Sequence, residues 1–195
     1  MPFELPKSAL DAKNWTWENY KPFYEELEAR EITADTVDEW MRDRNAVDNL
    51  MGEVFARARV KISQDTSDEE AEAYFKNMMA TMYQPASEMD NRLDKKLVES
   101  GFMPDNFELP MKKIKSEIAL YREENIPLTI RSQAISMEYG KATGAQTITW
   151  EGEELTLQRA NLLLEDPDRT KRETVWRMMM NRWLQDRETF NNLWV

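Results

Sequence analysis

Val37, Trp40, Met41, Val47, Leu50, Met51, Val54, Phe55, Ala58 and Ile62 recur at three- and four-residue steps, the spacing that lines one face of an α-helix. Over about seven turns at 3.6 residues per turn, this stripe predicts one long helix that must bury its face against others. Thr36 and Glu39 form a capping-box pattern at its start, where the first backbone N–H groups have no partner inside the helix. The chain has only five glycines in 195 residues, which favours helices over a turn-rich β architecture. It therefore reads as mainly all-α, an antiparallel helical bundle with one short β-hairpin near residues 147–157.

The rest of the chain repeats the pattern. Residues 1–13, with Pro2 and Pro6, read as an extended lead-in, and 14–195 as one helical lobe. A first helix is predicted from Thr16 to about Arg30 on Trp17, Tyr20, Tyr24 and Leu27, with Pro22 delaying its regular start. The acidic run from Ser63 to Glu72 leads into a third helix, with a capping box at Ser67 and Glu70 and acids suited to the positive end of the helix dipole. That helix carries Tyr74, Phe75, Met78, Met79, Met82, Met89, Leu93 and Leu97, is kinked by Pro85 and ends at Gly101. Pro104 and Pro110 bracket a loop before a helix over 111–124. After Asn125-Ile126-Pro127 another helix, with Leu128, Ile135 and Tyr139, ends near Gly140, and residues 141–145 turn.

Segment 146–177 departs from this plain helical reading. Thr147-Ile148-Thr149-Trp150 alternates and is β-branched, Glu151-Gly152 reverses the chain, and Glu154 to Leu157 returns. A lone hairpin is marginal in water, so it must lean on helices. Asp166-Pro167 breaks the chain, and Asp166 or Asp168 caps a last helix whose apolar face carries Val175, Trp176, Met179, Trp183, Leu184, Phe190 and Leu193. That helix reaches Val195 uncapped on its apolar face, which reads as a helix cut mid-course.

Composition removes whole classes of function. The formal net charge of −11 leaves no basic surplus for phosphates, so neither nucleic acid nor an anionic membrane is an expected partner. Without cysteine there is no disulfide, thiol nucleophile or thiolate metal site. The start of the chain lacks the pattern of a signal peptide, no run is long and apolar enough to span a bilayer, and the expected location is cytoplasmic. Histidine is absent too, which takes away the commonest general base and metal-binding imidazole. No Gly-rich phosphate loop occurs. The carboxylate clusters Glu25/Glu26, Asp68/Glu69/Glu70, Glu123/Glu124 and Glu153/Glu154 read as solvated helix faces and first turns, and Asp65 to Asp68 lacks the spacing of a calcium loop. Thirteen Met and seven Trp read as core packing, with a fraction free to face a partner.

The motifs of the last third also have a family look. Ile148-Thr149-Trp150-Glu151-Gly152-Glu153-Glu154-Leu155-Thr156-Leu157, Leu162-Leu163-Leu164, Asp166-Pro167-Asp168-Arg169 and Arg172-Glu173 with Trp176 together resemble oligoendopeptidase F and related thimet-oligopeptidase-like zinc metallopeptidases. Trp17 with Tyr20, Thr36 with Trp40, Asp65-Thr66 with Asp68, Tyr74, Pro85 and Glu124 to Leu128 fit the same pattern. The resemblance implies a helical clamshell around a channel for short peptides, with zinc bound by H-E-x-x-H and a further Glu in the C-terminal half. None of those residues occurs here, so no catalytic or metal-ligating residue is assigned and substrate-binding residues stay unknown. The resemblance thus implies the non-catalytic N-terminal lobe of a zinc peptidase, inactive by itself, with the C-terminal catalytic domain as its partner and zinc as the parent enzyme's cofactor. The alternative is a stand-alone helical module that binds a protein or peptide on a Met/Trp-rich apolar face.

Overall fold

The computed structural model describes residues 4–194. They gather into two compact units, Met1–Ile130 and Arg131–Val195, where the sequence suggests one lobe over 14–195. Each unit buries an apolar set of its own.

The first unit is helical. Pro2 of the expected extended lead-in lies outside the described residues, but from Ser8 the chain turns instead of extending. The Asp11 N–H donates to Ser8 O (3.1 Å) and the Trp15 N–H to Ala12 O (2.9 Å), because Ala9 and Ala12 are drawn into the interior. Helix α1 spans Trp17–Ala29 and opens regularly, its Thr16 N–H held by Asn19 Oδ1 (2.9 Å). Pro22 therefore sits inside the helix rather than delaying it. It forfeits one backbone hydrogen bond, and buried Tyr20, Phe23, Tyr24 and Leu27 hold the helix through that gap.

Helix α2 is Val37–Gln64, and it buries the predicted stripe from Val37 through Ala58. Trp40 is fully buried and its indole N–H donates to Leu27 O (2.8 Å), so the largest apolar side chain also ties α2 to α1. The Thr36–Glu39 box does not form. The Thr36 hydroxyl is engaged by the turn before it, accepting from Thr33 N–H (2.9 Å) and donating to Glu31 O (3.2 Å).

Helix α3, Glu69–Met78, is capped by Asp68, whose Oδ1 accepts from Ala71 N–H (2.8 Å). Ser67, the predicted cap, is already bound to Asp65 (N–H 2.9 Å, hydroxyl 2.6 Å). A π-helical turn, Met79–Tyr83, then leads into α4, Gln84–Ser100. Pro85 falls in the first turn of α4, and the wider turn ahead of it absorbs the N–H that proline cannot supply. Gly101 ends α4 at φ 74°, a left-handed conformation that favours glycine. Helix α5, Glu108–Leu120, starts earlier than 111 because Pro110 sits in its first turn, where a missing N–H goes unnoticed.

Helix α6 is Asn125–Gly144. It passes Gly140 and winds the predicted turn at 141–144 into helix, with the Thr143 hydroxyl bonded to Tyr139 O (2.9 Å) and Gly140 O (3.1 Å). In the second unit, strands β1 (Thr147–Trp150) and β2 (Glu153–Thr156) pair antiparallel with Ile148 opposite Leu155. Glu151 (φ 51°) and Gly152 (φ 89°) make the reversal, the two-residue turn whose twist suits a hairpin. Helix α7 (Leu157–Asn161) and a 3₁₀ turn (Leu162–Glu165) follow, then α8 (Arg169–Gln185) and α9 (Arg187–Leu193). Asp168 caps α8 by accepting from Thr170 N–H (2.8 Å). Ile148, Leu155, Leu157, Ala160, Val175 and Met179 form this unit's core, so the hairpin leans on helices as a marginal two-stranded sheet must. No described helix is long and apolar enough to cross a membrane.

Candidate functional site

The acidic clusters picked out by sequence stay dispersed. Glu25 forms a surface pair with Lys21 (3.7 Å) and Glu26 holds Arg30 (2.6 Å). Asp68 caps α3, and Glu69 and Glu70 lie exposed in that helix's first turn. Glu123 and Glu124 are exposed before α6, Glu153 faces Arg159 (3.4 Å), and Glu154 takes a hydrogen bond from Thr147 (2.6 Å). Each has a helix-end or solvent role.

A different polar group lies inside the first unit. Arg44, only 8% exposed, reaches Asp94 Oδ1 at 2.6 Å and Asp48 Oδ2 at 3.5 Å, and its guanidinium sits 5.8 Å over the Trp40 ring. The Tyr24 hydroxyl donates to Asp48 Oδ1 (3.2 Å). Asp90, one turn before Asp94, is half-buried, and its Oδ1 is shut off from solvent with no hydrogen-bond partner among the described residues. Three carboxylates thus share one guanidinium. Burial, reinforced by the charge of Asp48 and then of Asp94, pushes the Asp90 carboxyl up to about 7 against the pull of Arg44. Burial also raises Asp48 and Asp94, while Arg44 and, for Asp48, the Tyr24 hydroxyl hold them down. The cluster's spare proton sits on Asp90, and no nucleophile or open cavity adjoins it, so the arrangement serves the interior of the unit.

The second unit carries the concave surface. A groove of about 680 Å³ opens between the end of α6, α7, α8 and α9. Tyr139 and Phe190 form one wall with ring centroids 5.6 Å apart, and Trp183 belongs to the same lining. Leu157 and Met179 are shared with the core below. Thr143, Gln158 and Asn161 supply neutral polar groups. Gln146, 2% exposed, donates to Asp186 Oδ2 (2.7 Å), which also accepts from Arg182 (2.7 Å). Those two bonds, the one from Gln146 first, hold the Asp186 carboxyl below its usual range. Aromatic faces with neutral amides suit a binding surface for an apolar side chain on a peptide backbone. Nothing lining the groove is placed to transfer a proton or attack a carbonyl.

The methionine and tryptophan pattern divides along the same lines. Met41, Met51, Met78, Met82, Met179 and Trp40 are buried, as their helical spacing predicts. Trp176 and Trp183 are 49% and 46% exposed, and Leu184 62%, so the broad apolar face predicted for the last helix is covered only at Val175 and Met179. The reason is geometric. Both sides of α8 are apolar, and the hairpin and α7 cover one of them.

Zinc, the metal implied by the resemblance, requires imidazole, thiolate or convergent carboxylate donors. The chain has neither His nor Cys, and no three carboxylates fit to hold a metal ion come together among the described residues. These residues do not fit a zinc site.

Comparisons with known proteins agree with the fold. The family model for the peptidase M3 N-terminal domain matches residues 8–113. Among solved structures the chain is similar to PZ peptidase A with inhibitor 2, with a TM-score of 0.75 and 18% sequence identity over 98% of this chain. It spans 34% of that protein's chain. No curated protein sequence matches it.

Proposed function

The chain belongs to the peptidase M3 N-terminal domain family, and from that premise we infer that it is the non-catalytic N-terminal lobe of a zinc oligopeptidase of the oligoendopeptidase F kind, one wall of a channel that admits short peptides. The observation that carries this reading is a pairing. The fold follows a peptidase structure over nearly the whole chain while spanning about a third of that structure's length, and the chain itself holds no residue able to bind zinc in that family's manner. Chemistry is therefore assigned to a C-terminal catalytic domain of the same polypeptide, which would carry the zinc and its general base. This lobe contributes shape. A helical wall beside a buried centre excludes folded proteins and lets short extended peptides reach it. A chain without cysteine loses nothing in a reducing compartment, so the proposed location is the cytoplasm.

The gene tests this directly. The reading frame that encodes residues 1–195 is expected to continue into a segment with H-E-x-x-H and a further downstream Glu, and its product to cleave short quenched peptides while sparing folded proteins. A stop codon after Val195, or a long continuation without that motif, contradicts the reading and favours the stand-alone peptide-binding module instead.

A further inference from the structure

Helix α8 is apolar on two sides. Val175 and Met179 face the core of the second unit. On the opposite side Trp176, Met180, Trp183 and Leu184 follow the i, i+4, i+7, i+8 pattern of a second stripe. Three of these four are exposed large hydrophobics and Met180 is half-buried. The stripe is continuous with the groove, since Trp183 belongs to both. Scattered exposed apolar residues need no explanation, whereas a contiguous aromatic stripe beside an aromatic groove marks an interaction surface.

We propose that this stripe and groove are the docking face for the second lobe of the peptidase, which seats an amphipathic helix there with an apolar face and acidic flanks. The proposal rests on the N-terminal-lobe reading above and names the surface through which that lobe meets its partner. Two observations select this occupant. The structural neighbour's chain extends far beyond the 34% that this one spans, so a protein built like it has ample further chain to cover an apolar face. Charge then sets the partner's chemistry. Residues 169–188 carry six basic side chains against three acidic ones, in a chain whose formal net charge is −11. Arg177 and Arg182 are paired within α8 or at its end, with Glu173 (2.9 Å) and Asp186 (2.7 Å). The basic excess around an apolar stripe selects acidic flanks on whatever covers it. Helix-in-groove recognition with anchors spaced along one face has this geometry.

Hydroxyl-radical footprinting read by mass spectrometry tests the proposal on two proteins, the 195-residue chain and the product of its whole reading frame. Trp176 and Trp183 should oxidise readily in the short chain, and no faster than fully buried Trp40 in the long one. Trp176→Glu with Leu184→Glu should leave the melting temperature of the short chain unchanged and lower that of the long product. Equal oxidation of Trp176 and Trp183 in both proteins overturns the docking face, and if the long product still binds zinc and cleaves peptides, the N-terminal-lobe reading survives. Protection that already appears in the short chain and grows with its concentration assigns the face to a second copy and also overturns the proposal. A long product without zinc or peptidase activity overturns the reading beneath it.

Discussion

Asp90 and Asp94 lie one turn apart on α4, Arg44 and Asp48 one turn apart on α2, and Tyr24 on α1 closes the group. Asp90 binds its proton more tightly folded than unfolded, its carboxyl raised from 3.8 to about 7. Between those values the native state holds the extra proton, so this residue's contribution to stability falls as pH rises through that window and is fully lost above it. Asp90→Asn should therefore flatten the stability–pH profile between about pH 4 and 7 and stabilise the chain by about 1–3 kcal/mol at pH 8, read from urea denaturation at several pH values. Arg44→Met leaves Asp48 and Asp94 without their cation and should cost about 3–5 kcal/mol, part of it recovered by adding Asp94→Leu. The cluster was partly legible. Arg44 and Asp48 interrupt the α2 stripe at core positions, and Asp90 and Asp94 flank Leu93 in the same way on α4, so a charge written where an apolar residue belongs was the available signal. Which carboxylate meets which guanidinium was not legible, because the contacts join helices some 46 to 50 residues apart in sequence and nothing local fixes them.

At the scale of elements, glycine distinguishes conformations imposed by the fold from those the residue merely tolerates. Gly101 (φ 74°) ends α4 and Gly152 (φ 89°) turns the hairpin, and alanine at either should cost about 1 kcal/mol although nothing crowds the added methyl. Gly52 lies inside α2, where an added Cβ meets nothing within 4 Å. Gly52→Ala should stabilise by about 0.5–1 kcal/mol, and thermal melts of the three variants would separate the two kinds of site. Periodic apolar patterns found the long helices because burial dictates them, and Glu151-Gly152 found the hairpin because a tight reversal demands positive φ. Caps and stops were harder to read. Thr36 and Ser67 have the chemistry of caps, but neighbouring turns engage them first. Gly140 has the look of a stop, but with nothing forcing a left-handed residue there the helix runs on to Gly144. Trp176 and Trp183 read as core because helical spacing says which residues share a face and not whether anything covers it.

For the whole molecule, the sequence feature with the widest consequence is an absence, that of histidine. It makes the fold of a peptidase compatible only with a supporting part in the chemistry, and it turns the second unit's apolar groove into a surface that awaits another lobe. The most direct measurement is a paired assay of an internally quenched peptide with added zinc, comparing the 195-residue chain with the product of its whole reading frame. The account predicts chelator-sensitive cleavage by the long product and none by the 195-residue chain. Cleavage by residues 1–195 alone, lost on adding chelator, would contradict it.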